Sequence, residues 1–509
     1  MTNKITKVLI ANRGEIALRV IRGCRELGIQ SVAVYSEADK DSLHVRHADE
    51  AICIGPPESS KSYLSIDNII KAAKEMKADA IHPGYGFLSE NPLFAEACEQ
   101  NKIIFIGPSA DAMRAIGNKT SAREIMMAAN VPIAPGKNDV DRNNTDEILK
   151  EIERIGVPVL VKASAGGGGR GIRIINTLDE ALETIEIAAA EAASAFGDAT
   201  IFLEKFVSNA RHIEIQIMAD AHGNVIAFGE RDCSIQRRHQ KLIEEAPSPA
   251  VNEQLREAIS DAAIKAAKSC NYQNAGTVEF LLDEASGEFY FLEVNARLQV
   301  EHPVTELVYG IDLVKMQLKV ALGQSLKDLY PNKPSPVGWA IECRINGEDP
   351  FNDFMPSLGL IGGLELPSGP GVRFDTMLFE GLDIPLFYDS LLGKLITWGS
   401  NREEAIARMN RALDELKIGG IQTNIPFHKE LMNNKNFISG DFHTNWLEAN
   451  FTMPDKPITG NNIELALIAT SISLNTKTKQ ISSPNNTNNW AKAGRIHSMR
   501  RDFRSSGWQ

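Results

Sequence analysis

A run of glycines between two basic residues is the first feature of this sequence that could do chemistry. Lys162 ends an apolar stretch, Pro158–Lys162, and Arg170 follows the glycines. The four glycines are Gly166, Gly167, Gly168 and Gly169. Glycine lets backbone N–H groups approach an anion closely. A flexible linker is the alternative, but linkers rarely join a buried strand to a helix. The run therefore predicts a loop that covers phosphate groups.

Two carboxylates and an amide lie in a predicted β-hairpin, with strands over 277–282 and 288–295. If positions 282 and 288 pair, Glu279 and Glu293 become diagonal neighbours on one face, about 7–8 Å apart at Cα. Asn295 shares that face. Oxygen ligands of this kind suit Mg²⁺ or Mn²⁺, whereas ordinary surface acids are the alternative. The metal site depends on the register, because a slip of one residue turns the acids away.

Alternating polar residues continue the second strand of this hairpin. If the chain stays extended, Arg297, Gln299 and Glu301 lie on one side of it. An arginine can hold an oxyanion, and a carboxylate can accept a proton. Alone, the three residues would form a surface ladder of charges. Beside a metal hairpin, they predict a catalytic edge.

A basic cluster lies between Glu230 and Lys241 and includes His239. The chain as a whole is acidic, with 54 Lys and Arg against 66 Asp and Glu. A basic cluster in such a chain suggests an anionic substrate, although a solvated loop is the commoner meaning. In the preceding strand, His212 fits a structural role and a phosphate contact equally well.

These residues need elements to position them, and the N-terminal part predicts a parallel sheet. A strand over Lys7–Ala11, a helix over Glu15–Leu27 and a strand over Ser31–Tyr35 form a βαβ unit. Ala78–His82 and Ile103–Gly107 are expected as later strands of the same sheet. The first turn lacks the G-x-G-x-x-G pattern, which argues against a dinucleotide site.

Length and composition set the outer limits. The 509 residues suggest roughly three domains at about 150 residues each. A net charge of −12 argues against general binding of nucleic acid. Six scattered cysteines without a CxxC pair indicate a reduced compartment. No apolar stretch approaches the ~20 residues of a membrane span, and Val8–Ala11 is too short for a signal-peptide core, so we expect a cytoplasmic protein.

Taken together and in this order, the motifs resemble those of biotin carboxylases of the ATP-grasp superfamily over about residues 5–447. The matching segments are Val8–Ala17, His82–Asn91, the glycine run, Arg231–Lys241, Glu293–Glu306 and Glu342–Asn346. The resemblance implies an α/β protein, α+β overall. Its parts would be an N-terminal doubly wound parallel-sheet domain (1–115), an ATP-grasp domain (116–334) with a mobile lid at about 132–204, a C-terminal mixed α/β domain (335–447) and a partly disordered tail (448–509). We hypothesise that the tail docks a partner subunit.

The resemblance also implies a role for each site residue. Contacts to ATP would come from Lys119, Lys162, Gly166, Gly167, Gly168, Gly169, Glu204, Lys205, His212, Gln236 and His239. The metal ligands would be Glu279, Glu293 and Asn295. The bicarbonate pocket would consist of Lys241, Arg297, Gln299 and Val300, with Glu301 as the base. Arg344 would lie near biotin and phosphate.

The implied activity is the ATP-dependent carboxylation of biotin by bicarbonate through carboxyphosphate, with Mg²⁺ or Mn²⁺. This is the first half-reaction of an acetyl-CoA or other acyl-CoA carboxylase, as used in fatty acid biosynthesis. The chain has no Ala/Val-Met-Lys-Met sequence. Biotin would therefore arrive on a separate biotin carboxyl carrier protein, with carboxyltransferase subunits as further partners and a homodimer as the expected assembly. Two alternatives are a carbamoyl-phosphate-synthetase-like ligase and a catalytically silent nucleotide-binding scaffold.

Overall fold

The computed structural model describes residues 4–137, 140–142, 144–163 and 172–455. The described residues up to Met453 form one compact unit. The glycine run from Gly166 to Gly169 and almost all of the predicted tail lie outside the described residues. Within the described ranges, no helix has the length and apolar character to cross a membrane.

The N-terminal part is a five-stranded parallel sheet with helices on both faces, as predicted. Its elements are β1 (Lys7–Ile10), α1 (Gly14–Glu26), β2 (Gln30–Ser36), α2 (Leu43–His47), β3 (Glu50–Gly55), α3 (Ile66–Glu75), β4 (Ala80–His82), α4 (Pro92–Gln100), β5 (Ile104–Phe105) and α5 (Ala110–Gly117). Alternate residues of β1 supply both cores. Ile10 packs with Ile16 of α1, whereas Leu9 packs on the opposite face with Ile69 and Phe94. The two-sided burial explains why Val8, Leu9 and Ile10 of β1 are all apolar.

A second sheet, with four antiparallel strands, has a core of its own. Its part of the chain contains α6 (Lys119–Ala128), β6 (Gly136–Lys137), α7 (Thr145–Ile155), β7 (Val159–Ala163), β8 (Ile172–Ile175), α8 (Ala181–Phe196) and β9 (Ile201–Lys205). The strand order is β6-β9-β7-β8. Ile152 of α7, Val161 of β7 and Ala188 of α8 meet in one apolar cluster. The smaller sheet and its helices α7 and α8 therefore have an apolar core separate from the cores of the other two sheets.

An eight-stranded antiparallel sheet forms the centre of the molecule. Its strands and the helices between them are β10 (Ala210–Ala219), β11 (Val225–Arg237), β12 (Gln240–Ala246), α9 (Glu253–Ser269), β13 (Asn274–Asp283), β14 (Phe289–Asn295), α10 (His302–Tyr309), α11 (Leu313–Ala321), α12 (Leu326–Leu329), β15 (Trp339–Asn346), β20 (Val372–Thr376) and β22 (Leu391–Gly399). The order is β14-β13-β10-β11-β12-β15-β22-β20. Pairing of β12 with β15 continues the sheet across the expected domain boundary at 334/335.

Short elements complete the C-terminal part. They are β16 (Glu348–Asp349), β17 (Met355–Pro356), β18 (Gly359–Leu360), β19 (Gly363–Glu365), β21 (Asp383–Ile384), α13 (Arg402–Glu415), β23 (Lys417–Gly419), α14 (Ile425–Met432), α15 (Lys435–Ser439) and α16 (Trp446–Asn450). The short strands form three two-stranded sheets, β16-β17, β18-β21 and β19-β23.

The two faces of β15 and β22 differ in character. The directly opposed residues Cys343 and Leu395 are buried in an apolar cluster that also contains Met409 of α13. On the other face Arg344 lies opposite Lys394. Directly opposed residues share a face, and neighbours along a strand alternate between faces. The sheet therefore buries its apolar face against helices and presents a row of charges on the other.

The predicted hairpin is present as β13 and β14, but its register differs from the prediction. Glu279 lies directly opposite Glu293, not diagonal to it, and Leu282 lies opposite Phe289. The difference has two sources. From Leu282 onward the pairing is offset by one residue along β14, and it then skips Leu292, an extra residue that forms a bulge on β14. Such a bulge changes which side chains share a face. It brings the two carboxylates closer than the regular hairpin would.

Candidate active site

A cleft of about 1490 Å³ opens between the charged face of the large sheet and the N-terminal sheet. Most of the predicted site residues line it, namely Lys162, His212, Gln236, His239, Lys241, Glu279, Glu293, Asn295, Arg297, Gln299, Val300 and Arg344. Asn12 to Ile16 and Tyr85 to Phe87 contribute from the N-terminal sheet. Residues from three parts of the chain thus meet around one cavity.

Lys241 is the centre of the charge network in this cleft. Its Nζ lies 2.5 Å from Glu214 Oε2, 3.0 Å from Glu279 Oε1 and 2.8 Å from Glu301 Oε1. Burial would lower the pKa of Lys241, but the surrounding anionic groups raise it well above its usual value. Lys241 therefore remains an ammonium group and draws three carboxylates to one point.

Glu301 is fully buried and is held by cations on both of its oxygens. Oε1 accepts from Lys241, and Oε2 accepts from Arg344 Nη2 at 2.9 Å. Burial would raise the pKa of Glu301, but Lys241, Arg344 and Arg231 hold it well below its usual range. The carboxylate is therefore ionised at neutral pH, the form that a base requires.

Arg344 has a second carboxylate partner in Glu244. Its Nε donates to Glu244 Oε1 at 2.6 Å, while Nη2 bridges to Glu301. Burial raises the pKa of Glu244 to about 7, although Arg344 opposes the shift. The guanidinium is thus shared between two buried acids.

The residues predicted to hold a metal fit one. Glu279 and Glu293 are directly opposed, which places their Cβ atoms about 4.5–5.5 Å apart, and Asn295 follows on the same face. All three line the cleft. Glu279 also lies 2.9 Å from His212 Nε2. Burial would raise the pKa of Glu279, but Lys241 and His212 keep it well below its usual range. The set offers hard oxygen donors of the kind that Mg²⁺ binds, with Glu279 held in its ionised form.

The predicted extended edge after the hairpin is wrong, because the chain bends once β14 has ended at Asn295. Glu301 is instead the N-cap residue of α10. Arg297 still gathers its neighbours, since it donates to Asn295 Oδ1 at 3.1 Å and Gln299 Oε1 at 2.8 Å. Its Nε also donates to Glu90 Oε2 at 2.9 Å, a residue of the N-terminal part. Side-chain bonds, not strand alternation, bring these residues together.

The basic cluster of 230–241 is a hairpin end and not a solvated loop. β11 runs to Arg237, Arg238 and His239 form the turn with positive φ angles of 49° and 64°, and β12 begins at Gln240. His239 is exposed at the cleft, whereas Lys241 points into the charge network. Gln236 Nε2 lies 2.7 Å from His212 Nδ1. The turn therefore places His239 at the surface of the cleft and Lys241 in its interior.

Three of the residues predicted to bind ATP, namely Lys162, Glu204 and Lys205, lie on the smaller sheet. Lys162 forms an ion pair with Glu204, which also accepts from Arg123 Nη1 at 3.1 Å. Lys205 is half-buried at the end of β9, beside Tyr290. Lys119 is the first residue of α6, but its side chain and the glycines of 166–169 lie outside the described part of the structure.

Several residues of this network are absent from the sequence predictions. Glu214 binds both Lys241 and Arg231 Nε, the latter at 2.5 Å. The signal for Glu214 was present, because strand alternation puts it on the same face as His212. Glu90 and Glu244 carried no such local signal, since their partners are distant in the sequence.

Three family models match consecutive parts of the chain. The descriptions are "Biotin carboxylase, N-terminal domain" for residues 4–113, "Carbamoyl-phosphate synthase L chain, ATP binding domain" for residues 118–329 and "Biotin carboxylase C-terminal domain" for residues 342–449. Biotin carboxylase 1 of Bacillus subtilis is 55% identical over 444 residues, covering 87% of this chain and 98% of that protein. The chain belongs to the biotin carboxylase family. It is an ATP-grasp enzyme of the ATP-dependent carboxylase class.

Solved structures of relatives have the same fold. A biotin carboxylase from Campylobacter jejuni, in a β-γ-ATP complex, has a TM-score of 0.82 and 48% identity, covering 87% of this chain and 99% of that one. The biotin carboxylase domain dimer of 2-oxoglutarate carboxylase from Hydrogenobacter thermophilus, with MgADP and bicarbonate, has a TM-score of 0.80 and 46% identity, covering 88% and 98%. Among sequence relatives, a pyruvate carboxylase subunit of Methanothermobacter thermautotrophicus is 53% identical over 87% of this chain and 89% of that protein.

Proposed function

We propose that this biotin carboxylase activates bicarbonate with ATP in the described cleft and that Glu301 is the base. The observation that carries the proposal is the position of Glu301, ionised and in contact with both Lys241 and Arg344. A bicarbonate ion beside Arg297, Gln299 and the Val300 backbone would lie within reach of these groups. Deprotonation would make it a better nucleophile toward the γ-phosphate of ATP.

Arg344 would set the basicity of Glu301 during the reaction. While Arg344 stays on Glu301, the low pKa of that carboxylate makes it a weak base. If Arg344 turns to phosphate or to the ureido oxygen of biotin, Glu301 loses one of its cations and its pKa rises. Arg297 would stabilise the negative oxygen that develops on biotin when carboxyphosphate decomposes.

ATP would be held by groups from the smaller sheet and the hairpin. Lys119, Lys162 and the glycines of 166–169 would contact the phosphates, and the segment of about 132–204 would close over them as a lid. Glu204 and Lys205 would bind the adenine base. His212, Gln236 and His239 would contact the rest of the nucleotide. Glu279, Glu293 and Asn295 would hold Mg²⁺ or Mn²⁺, which neutralises phosphate charge in such transfers. Lid closure would keep water away from the labile intermediate.

Biotin would arrive on a separate carrier protein, and a carboxyltransferase would pass the carboxyl group to the final acceptor. We propose acetyl-CoA or another acyl-CoA as that acceptor and a homodimer as the assembly. A 2-oxo acid is a second candidate acceptor, because relatives are named for pyruvate and 2-oxoglutarate carboxylases. Purification of the native complex, followed by carboxylation assays with each acceptor, would distinguish the two.

The test of the catalytic proposal is ATP hydrolysis with bicarbonate, measured with and without free biotin. We expect stimulation by biotin and dependence on bicarbonate. Glu301→Gln should lower the biotin-dependent rate about 100-fold or more, the usual contribution of a positioned base, while nucleotide binding persists. Glu365→Gln, an exposed glutamate of β19, is the matched control and should retain activity. Biotin-dependent turnover that survives in Glu301→Gln would remove its role as base.

A further inference from the structure

Lys394 is a buried cation next to the site that no part of the proposed chemistry uses. It lies on β22 and its side chain is 0% exposed. Its Nζ donates to the backbone carbonyl of Val300 at 2.9 Å and lies 3.0 Å from Glu15 Oε1. Val300 directly precedes Glu301. A charge from the C-terminal part of the chain thus holds the backbone beside the expected base.

The partners of Lys394 connect it to three parts of the molecule. Glu15, at the start of α1, also accepts a hydrogen bond from the Tyr85 hydroxyl, and Lys394 Nζ lies 5.8 Å from the Tyr85 ring centroid. Across the sheet, Lys394 is directly opposite Arg344 on one side and Asp375 on the other. Lys394 is therefore placed where the N-terminal sheet, the large sheet and the segment after β14 meet.

The direction of the Val300 carbonyl determines where Glu301 can begin α10. Between β14 and that helix the chain follows no regular backbone ladder, so the Lys394 hydrogen bond is a specific restraint on it. Losing the restraint would let the segment from Arg297 to Glu301 relax by a fraction of an ångström, enough to impair a positioned reaction.

We propose that Lys394 is a positioning residue for the bicarbonate pocket, acting through the Val300 carbonyl and anchored by Glu15. The inference rests on the proposed function, because it takes Val300 and Glu301 as parts of that pocket. A purely structural role would lower the stability or the fraction of active enzyme and affect all substrates alike. A positioning role would affect bicarbonate selectively, since Lys394 makes no contact with Lys162 or Glu204 among the described residues.

The experiment compares Lys394→Met and Lys394→Arg with a control variant, Lys429→Met. Lys429 forms an ion pair with the exposed Asp414 at the protein surface. For Lys394→Met we expect KM for bicarbonate to rise about tenfold or more, with KM for ATP within about twofold of wild type. Lys394→Arg should recover part of the loss, because it keeps the charge and the donor. Lys429→Met should match wild type.

Glu15→Gln keeps the inference testable if Lys394→Met does not fold, because it loosens the anchor and retains Lys394. It should raise KM for bicarbonate in the same direction by a smaller factor. Two results would overturn the role of Lys394 and leave the proposed function intact. One is an equal change in KM for bicarbonate and KM for ATP. The other is an unchanged KM for bicarbonate in folded, active Lys394 and Glu15 variants. A wild-type enzyme without bicarbonate-dependent ATP hydrolysis would overturn the proposed function as well.

Discussion

Glu342 is a buried acid on β15, two residues before Arg344 and on the same face of the sheet. Neither of its carboxyl oxygens has a hydrogen-bond partner among the described residues. It lies directly opposite Glu244 on β12. Burial raises the pKa of Glu342 well above its usual value, and Lys394 only partly opposes this. Burial therefore favours the neutral form of Glu342, and a neutral carboxyl adds no negative charge beside Glu244.

This protonation state makes a prediction about stability and pH. In the unfolded chain Glu342 loses its proton near pH 4.5, whereas the folded chain keeps it to a higher pH. The contribution of Glu342 to the free energy of unfolding is thus fully present below about pH 4.5. It falls by at most about 1.4 kcal/mol per pH unit as the pH rises toward the pKa of Glu342 in the folded chain. Glu342→Gln, a neutral mimic, should lack this slope.

We therefore expect Glu342→Gln to gain stability relative to wild type between pH 5 and pH 8, measured as the difference in thermal unfolding midpoints. Glu365→Gln, which changes an exposed carboxylate, serves as the control. A difference between wild type and Glu342→Gln that stays constant with pH would show that Glu342 ionises alike in both states.

At the scale of elements, a bulge in β11 aligns the charge network. Gln216 on β10 faces two residues, because Ile215 pairs with Glu230 and Ile217 pairs with Ala227. Gly229, within the bulge, has a φ of +63°. The extra residue sets the register that places Arg231 opposite Glu214. Glycine is favoured there because a Cβ would lie 1.9 Å from the Tyr309 hydroxyl.

Gly229→Ala should consequently lower stability for two reasons. The left-handed backbone disfavours alanine by roughly 1–2 kcal/mol, and displacement of Tyr309 adds about 1–3 kcal/mol. Gly223→Ala, in the turn of the same hairpin, is the matched control, since its φ is +81° but no atom of the described residues lies within 4 Å of the position that an alanine Cβ would take. Thermal unfolding should show a clearly larger decrease for Gly229→Ala. Equal decreases would mean that Tyr309 moves without penalty.

The sequence predicts elements better than their relative placement. The βαβ unit and the hairpin follow from local patterns, and both are present. The register at Glu279 differs from the prediction because neither the one-residue offset at Leu282 nor the bulge at Leu292 has a signature in the local alternation. Lys394 was missed for another reason, since its partners Glu15 and Val300 are far away in the chain. Periodicity reports which face a residue occupies but not which distant strand it meets.

At the scale of the whole molecule, Glu306 connects elements that are far apart in the sequence. Its Oε1 accepts from Arg19 of α1 at 2.9 Å, and its Oε2 accepts from Arg373 of β20 at 2.7 Å. Glu306 is almost fully buried, so water cannot replace these partners. The N-terminal sheet and the edge of the large sheet are thereby tied to the same carboxylate on α10.

Glu306→Gln should loosen this connection and reduce the cooperativity of unfolding. Removing one partner from a buried ionic network leaves charge uncompensated, an effect of about 3–5 kcal/mol in comparable cases. In scanning calorimetry we expect the transition of the unit formed by residues 1–453 to shift downward and broaden or split, as the N-terminal sheet unfolds more independently. Glu415→Gln, which removes an exposed carboxylate paired with Arg411 on α13, should change the trace little. If the two variants gave the same trace, Glu306 would not couple the sheets, and the cleft between them would depend on apolar packing around α1 and α11 instead.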